Sequence, residues 1–222
     1  ADAERYFNAY SDAIDSISKR CEGDVRTNPG ISVKLSALLA RYEYGQKERV
    51  MTELVPRALT LAKKAAAANM GFNIDAEEQD RLDLSLDVIE AILSDEELKG
   101  WDGFGVVVQA FAKRASQTLD WLYALSEKFD RRIMVRLVKG AYWDAEIKRA
   151  QVMGLDGFPV FTRKACSDVS YLACARQLLG MTDRIYPQFA THNAHSVSAV
   201  LELAKDLGRD KFEFQRLHGM GE

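Results

Sequence analysis

The amino-acid sequence predicts an α/β fold built on a parallel sheet, and three observations carry that expectation. From Ile31 onward, short β-prone runs alternate with longer segments, the signature of consecutive β/α units. In the longer segments apolar residues recur three and four apart, as on the buried face of a helix. No GxGxxG, and no GxxxxGK followed by Ser or Thr, succeeds any β-prone run, so the phosphate loops of doubly wound sheets are missing and a barrel is favoured.

Residues 1–30 read as an N-terminal helix and linker, closing on the turn-like Thr27-Asn28-Pro29-Gly30, and residues 31–222 as one barrel domain. The expected strands are residues 31–37, 71–75, 104–110, 133–139, 185–191 and 211–217. Between them, helical stripes are expected from Leu82, Leu86, Ile89 and Leu93, from Leu119, Leu122, Leu125 and Phe129, from Val169, Leu172 and Leu179, and from Val197, Val200, Leu201 and Ala204. Pro56 falls inside the helical stretch 46–70, which predicts a kink or a helix that begins near it. A (β/α)8 barrel takes about 250 residues and eight strands. Six strands can be counted in these 222 residues, so the expectation is a (β/α)8 TIM-like barrel lacking its first and last strands. Open edges in a buried parallel sheet are a liability, so neighbouring segments would be needed to complete it.

Thirty Lys and Arg against 33 Asp and Glu give a formal charge of −3, which supplies no basic field for nucleic acid. Cys21, Cys166 and Cys174 are an odd set without CxxC spacing, and no N-terminal stretch has signal-peptide character, which points to a reduced, cytoplasmic protein. Cys166 and Cys174 lie in a helical segment and are expected to pack rather than react. No apolar run reaches the roughly 18 residues of a membrane span, and peripheral docking on a membrane would have to come from elsewhere. No repeat, low-complexity tract or linker suggests an internal boundary.

In a barrel of this kind the open rim lies at the C-terminal ends of the strands, and functional groups gather there. The candidates are Lys34 with Ser36, Asp75 with Glu77 and Glu78, Gln109, Arg136 with Lys139, Thr191-His192-Asn193, and Gln215 with His218. In Ile-Ser-Val-Lys-Leu-Ser-Ala, strand alternation puts Ser32, Lys34 and Ser36 on one face, directed into the barrel. An ammonium there needs a carboxylate, and Asp75 at the end of the next strand is the obvious partner, whether for function or as a structural ion pair. Arg136 to Trp143, Arg-Leu-Val-Lys-Gly-Ala-Tyr-Trp, sets two cations at a strand end before glycine, aromatics and a helix start, and this could cradle an anion. Tyr142 and Trp143 could pack on a ring or simply on the core. His192 and His195 are three apart but follow a strand, with no third ligand at a recognisable spacing, so no metal site is expected. His192 is read as a donor to a ligand oxygen and His195 as a helix cap, while His218 fits a ligand contact or a tight turn equally well.

Taken together, five ordered segments resemble the proline dehydrogenase family, and within it the bacterial bifunctional branch called proline utilisation A. They are Ile-Ser-Val-Lys-Leu-Ser-Ala-Leu, Asn-Ile-Asp-Ala-Glu-Glu, Arg-Leu-Val-Lys-Gly-Ala-Tyr-Trp-Asp, Phe-Ala-Thr-His-Asn-Ala-His and Phe-Gln-Arg-Leu-His-Gly-Met-Gly-Glu. The resemblance runs from about Tyr6 to Glu222. It implies a distorted barrel with noncovalent FAD at the strand C-termini, oxidation of L-proline to Δ1-pyrroline-5-carboxylate in proline catabolism, and electrons passed on to a membrane quinone. On this analogy Arg136 lies against the reactive edge of the flavin and Gln109 hydrogen-bonds it. Lys139, Gly140, Ala141, Trp143, Thr162, Lys164, Thr191, His192, Asn193 and Gln215 would be further cofactor contacts. Lys34, Asp75, Tyr142 and Leu217 would form the proline side, Tyr142 as packing and gate. The family's Arg-Arg pair, which clamps the substrate carboxylate, and its early Tyr-Asp-Met-Leu-Gly-Glu strand are both missing from these residues. In the larger bifunctional enzyme a second active site converts the product to glutamate.

Three rival readings stay open at this level. Lys139 could be the Schiff-base nucleophile of an aldolase-type barrel. His192, His195 and Asp75 could serve a metal-dependent hydrolase. An incomplete barrel could also act as an interaction module without activity.

Overall fold

The computed structural model describes residues 2–220. Helix α1 (Asp2–Ser18) opens with Asp2 and Glu4 in its first turn, where carboxylates complement the helix dipole. The chain then turns at Asp24, whose carbonyl accepts from the backbone of Thr27 and Asn28, and enters β1 (Gly30–Val33).

Lys34 is still extended, but residues 35–38 form helix α2 (Leu35–Leu38) instead of continuing the strand. The strand expected over 31–37 is thus cut short, and Ser36 does not share a strand face with Lys34. Leu35 and Leu38 are three apart and both buried, as one helical turn requires, and the Ser36 N–H is captured by the Glu77 carboxylate at 3.0 Å.

Helix α3 (Lys47–Arg49) runs through a wide π turn (Val50–Leu54) into α4 (Val55–Ala67), where Pro56 is the second residue. The Val55 N–H reaches five residues back to the Val50 carbonyl, so the ladder widens where the proline has no donor to give. The discontinuity expected at Pro56 takes this form.

The remaining elements follow as β2 (Gly71–Ile74), α5 (Leu82–Leu93), β3 (Phe104–Gln109), α6 (Ala115–Lys128), β4 (Ile133–Val138), α7 (Trp143–Val152), α8 (Lys164–Leu179), β5 (Ile185–Ala190), α9 (Ala194–Leu203) and β6 (Glu213–Gln215). Among the described residues there are six strands, ordered β1-β2-β3-β4-β5-β6 as in the chain. By its internal contacts the chain divides into two compact units, Ala1–Val106 with Lys128–Ile133, and Val107–Glu127 with Met134–Glu222.

In the first unit β1 and β2 run parallel with Ser32 opposite Asn73, and β2 and β3 run parallel with Phe72 opposite Phe104. All of β2 is buried, as expected of a parallel strand covered on both faces. Phe72 stacks on Phe104 with ring centroids 6.4 Å apart. Burying a ring of this size contributes roughly 1.5–3 kcal/mol. Helix α5 buries Leu84, Val88, Ile89, Ile92 and Leu93, so the stripe expected through Leu82 and Leu86 is rotated and those two leucines lie at its margin. Lys64 of α4 fastens α1, its Nζ reaching Ser11 Oγ at 2.7 Å and Asp15 Oδ2 at 2.6 Å.

In the second unit the strand ladder continues with the Ala110 N–H donating to the Val138 carbonyl at 2.8 Å, and β5 and β6 run parallel with Gln188 opposite Glu213. Phe189, Phe212 and Phe214 pack on one side, each pair of ring centroids 5.9 Å apart. Alternation turns Gln188, Glu213 and Gln215 to the other side. Helix α8 buries Tyr171, Cys174, Ala175, Leu178 and Leu179. Val169, expected on the buried stripe, is exposed, and so is Cys166, which corrects the expectation that both cysteines pack. The 3–4 spacing through Ser167, Tyr171, Cys174 and Leu178 selects one face, and positions 166 and 169 fall opposite it. Burial pushes the Cys174 thiol up, away from reactivity.

Candidate active site

In the first unit, the Asp75 N–H donates to the Val33 carbonyl at 3.0 Å, extending the β1–β2 ladder by one residue past the end of β2. That places Asp75 beside Lys34, whose Nζ donates to Asp75 Oδ2 at 3.3 Å. The Lys34 N–H is held by the Tyr10 hydroxyl at 3.2 Å. The side chains of the pair are 43% and 24% exposed, so they are not the deeply buried ions that strand alternation suggested, and the desolvation cost is correspondingly smaller. Glu77 lies next to them and accepts from Arg81 at 3.0 Å as well as from Ser36. Glu78 is also bound by Arg81, at 3.0 Å.

In the second unit, Arg136 projects from β4 and its Nε donates to Gln215 Oε1 of β6 at 2.6 Å. Gln109, buried at the end of β3, accepts the Ala141 N–H at 2.9 Å and so fixes the loop after β4. That loop is tightly constrained. Gly140 has φ +137, and Tyr142 is left-handed at φ 67, a conformation costly for a non-glycine residue. Tyr142 is exposed and precedes α7; Trp143, the first residue of α7, anchors its indole N–H to the Phe161 carbonyl at 2.8 Å.

Lys139 and Lys164 converge on one carboxylate, Asp168 of α8, with Lys164 Nζ at 2.7 Å from Oδ2. The two ammonium groups, Lys139 first, hold the Asp168 carboxyl below its ordinary range. Thr162 is exposed just before α8. At the end of β5, Thr191 Oγ1 accepts the Asn193 N–H at 3.1 Å, and Asn193 Oδ1 caps α9 by accepting from the Ser196 N–H at 2.9 Å. The cap is therefore Asn193 and not His195, because the short carboxamide of the residue just before the helix reaches the third amide of the helix. His192 Nε2 accepts the Leu217 N–H at 3.2 Å, which leaves Nδ1 as the donor of the neutral ring. Leu217 and His218 are exposed. Among the described residues no group of three or more His, Cys, Asp or Glu is placed to hold a metal ion.

Three residues of this neighbourhood were not singled out from the sequence. Asp168 was discernible only in part, since Lys164 and Asp168 stand one helical turn apart whereas Lys139 is remote in the chain. Glu213 and Phe111 left no signal, because their importance lies in what the sheet sets beside them.

A parallel β/α sheet with cations, amides and a glycine loop at the C-terminal strand ends defines a barrel-type enzyme scaffold of the class whose chemistry sits on that rim. The family model described as proline dehydrogenase matches residues 1–222, and the chain belongs to the proline dehydrogenase family. It is 53% identical to the bifunctional protein PutA of Escherichia coli over 100% of this chain and 17% of that protein. With proline dehydrogenase 2 of Bacillus subtilis it shares 28% identity over 89% of this chain and 55% of that one. The backbone matches crystalline Bradyrhizobium japonicum proline utilization A with a TM-score of 0.97 and 60% identity, covering all of this chain and 23% of the other. A relative from Bdellovibrio bacteriovorus, inactivated by N-propargylglycine, matches at TM-score 0.91 and 29% identity, over 99% of this chain and 24% of that one. The chain thus spans 17% of the length of the PutA sequence it matches. The TIM-like barrel lineage expected from the sequence stands, and no described helix is long and apolar enough to cross a membrane.

Proposed function

We propose that this chain carries the FAD site of a proline dehydrogenase and oxidises L-proline to Δ1-pyrroline-5-carboxylate as part of a longer protein. The observation that carries this reading is Arg136, a permanent cation at a strand end whose Nε donates to the Gln215 amide oxygen. The donor set around it fits a flavin nucleotide. Lys139, Lys164 and the His192 ring offer positive charge or N–H donors for phosphates and oxygens, and the Gly140 loop presents backbone where a side chain could not fit.

When bound, FAD supplies the two-electron acceptor for the hydride that leaves proline as its ring nitrogen gives up a proton. Arg136 stabilises negative charge that develops beside it, and Gln109 and Gln215 orient it and the adjoining loop. Gly140, Ala141, Trp143, Thr162, Thr191 and Asn193 are assigned as further cofactor contacts. Lys34 with Asp75, and Tyr142 with Leu217, are assigned to substrate, the ammonium of Lys34 suiting a carboxylate. Electrons then pass to a quinone, and any membrane docking resides in segments beyond this chain. The formal charge of −3 gives no support to nucleic-acid binding through this domain.

The test is an anaerobic visible spectrum of the purified protein supplemented with FAD and titrated with L-proline. Bleaching of the oxidised-flavin bands is expected. Bound flavin that stays oxidised would limit the chain to a cofactor site, and failure to bind flavin would overturn the reading.

A further inference from the structure

We propose that Glu213 is a positioning residue that sets the direction of the Gln215 amide and, through it, the guanidinium of Arg136. The inference concerns a relay within the second unit, and its catalytic meaning rests on the role proposed for Arg136.

Gln215 Nε2 donates to Glu213 Oε1 at 2.6 Å, and Gln215 Oε1 accepts from Arg136 Nε at 2.6 Å. A side-chain amide can be turned either way, but its neighbours here leave no choice. Arginine only donates and an ionised carboxylate only accepts, so the oxygen must face Arg136 and the NH2 must face Glu213. Each end of the relay independently demands the same orientation.

Gln188 makes the same point from the adjacent strand. It stands directly opposite Glu213 in the β5–β6 register, and its Nε2 donates to the same Oε1 at 3.0 Å and lies 3.4 Å from the Met134 sulfur. Its own Oε1 is buried with no hydrogen-bond partner among the described residues. A buried acceptor left unpaired is costly. Gln188 keeps its NH2 on the carboxylate nonetheless, as expected if Glu213 is an anion gathering two amides. The carboxylate is thus the fixed point, and the cation at the other end takes its direction from it. None of this follows from strand alternation, which puts Glu213, Gln215 and Arg136 on one face without saying which way an amide turns.

The experiment uses 15N-labelled protein without added FAD, so that it does not depend on flavin binding. In the unsubstituted protein, slow solvent exchange of the Arg136 Nε–H and a nuclear Overhauser contact between the Gln215 side-chain amide protons and Glu213 are expected; their absence overturns the proposal. In Glu213→Gln, which keeps the shape and removes the acceptor-only charge, Arg136 Nε–H exchange should speed up about tenfold. Glu213→Asp should recover part of the protection. Unchanged exchange in Glu213→Gln, or no difference between the two variants, would sink the idea. With FAD bound, Glu213→Gln should slow proline-dependent flavin reduction about tenfold, and this loss should vanish when Arg136 is already Met. Equal losses in both backgrounds would count against positioning. A protein that binds no flavin would overturn the proposed function alone, since the exchange measurements would still decide the role of Glu213.

Discussion

A Cβ placed on Gly140 would stand 2.5 Å from the ring of Phe111, and Gly140 itself has φ +137. The phenyl ring and the loop after β4 therefore occupy space that only glycine leaves open. Gly140→Ala is expected to destabilise the protein by roughly 1–3 kcal/mol from backbone strain, with the ring clash in addition. Thermal unfolding reads the loss. Combining it with Phe111→Ala should remove the clash but not the strain, so the double variant should stay less stable than Phe111→Ala alone.

Arg136→Met is expected to lower the rate of flavin reduction by proline about 100-fold, the scale seen when one preorganised charge-stabilising group is lost. Stability should fall by about 1.5 kcal/mol, the low end for a hydrogen bond to a charged group, because the site is only half-buried. Stopped-flow reduction against thermal unfolding separates the two, and equal losses would contradict the assigned role.

Lys34 and Asp75 form an ion pair whose side chains are 43% and 24% exposed. Such pairs contribute ~1 kcal/mol or less, so Lys34→Met should leave the midpoint of urea unfolding nearly unchanged. If the lysine serves substrate, the KM for proline rises severalfold in the same variant. A large loss of stability with unchanged KM would show the pair to be structural.

Asp168 gives a pH prediction. Its carboxyl is held below the ordinary value of 3.8 by Lys139 and then Lys164. A lowered folded pKa means that the folded state binds the proton less readily than the unfolded chain, so the stabilisation is complete above 3.8 and is lost as pH falls through the lowered folded value. Asp168→Asn should therefore be less stable than the parent at neutral pH, by ~1 kcal/mol or less given the solvent exposure of the pair, and the gap should close in acid. Parallel denaturation curves at neutral pH and below 3.8 check this, and a gap independent of pH would mean the carboxylate is not the source.

What the sequence determined by itself was largely local. Alternation of short β-prone and longer helical segments is a property of neighbouring residues, and it placed all six strands, although the first was extended over Leu35 to Ala37, where burial of Leu35 and Leu38 draws the chain into a helical turn, and the sixth, expected over 211–217, holds only Glu213–Gln215 because Lys211 closes a 3-10 turn before it. The strand-end residues Gln109, Arg136, Lys139 and Gln215 were legible because a parallel β/α unit always exposes that end of the strand. Helix faces were legible less well. On α8 both Val169 and Tyr171 could have led a stripe, and only packing against the sheet decided for Tyr171.

The partnerships had to wait for tertiary structure. Lys139 meets Asp168 across 29 residues, Gln109 meets Ala141 across 32, and Arg136 meets Gln215 across 79. Periodicity carries no record of which strand lies beside which, nor of the turn of an amide or the ring filling the space beneath a glycine. Those are fixed by the register of parallel strands, which brings together side chains remote in sequence and lets charge, donor count and volume decide how each one points.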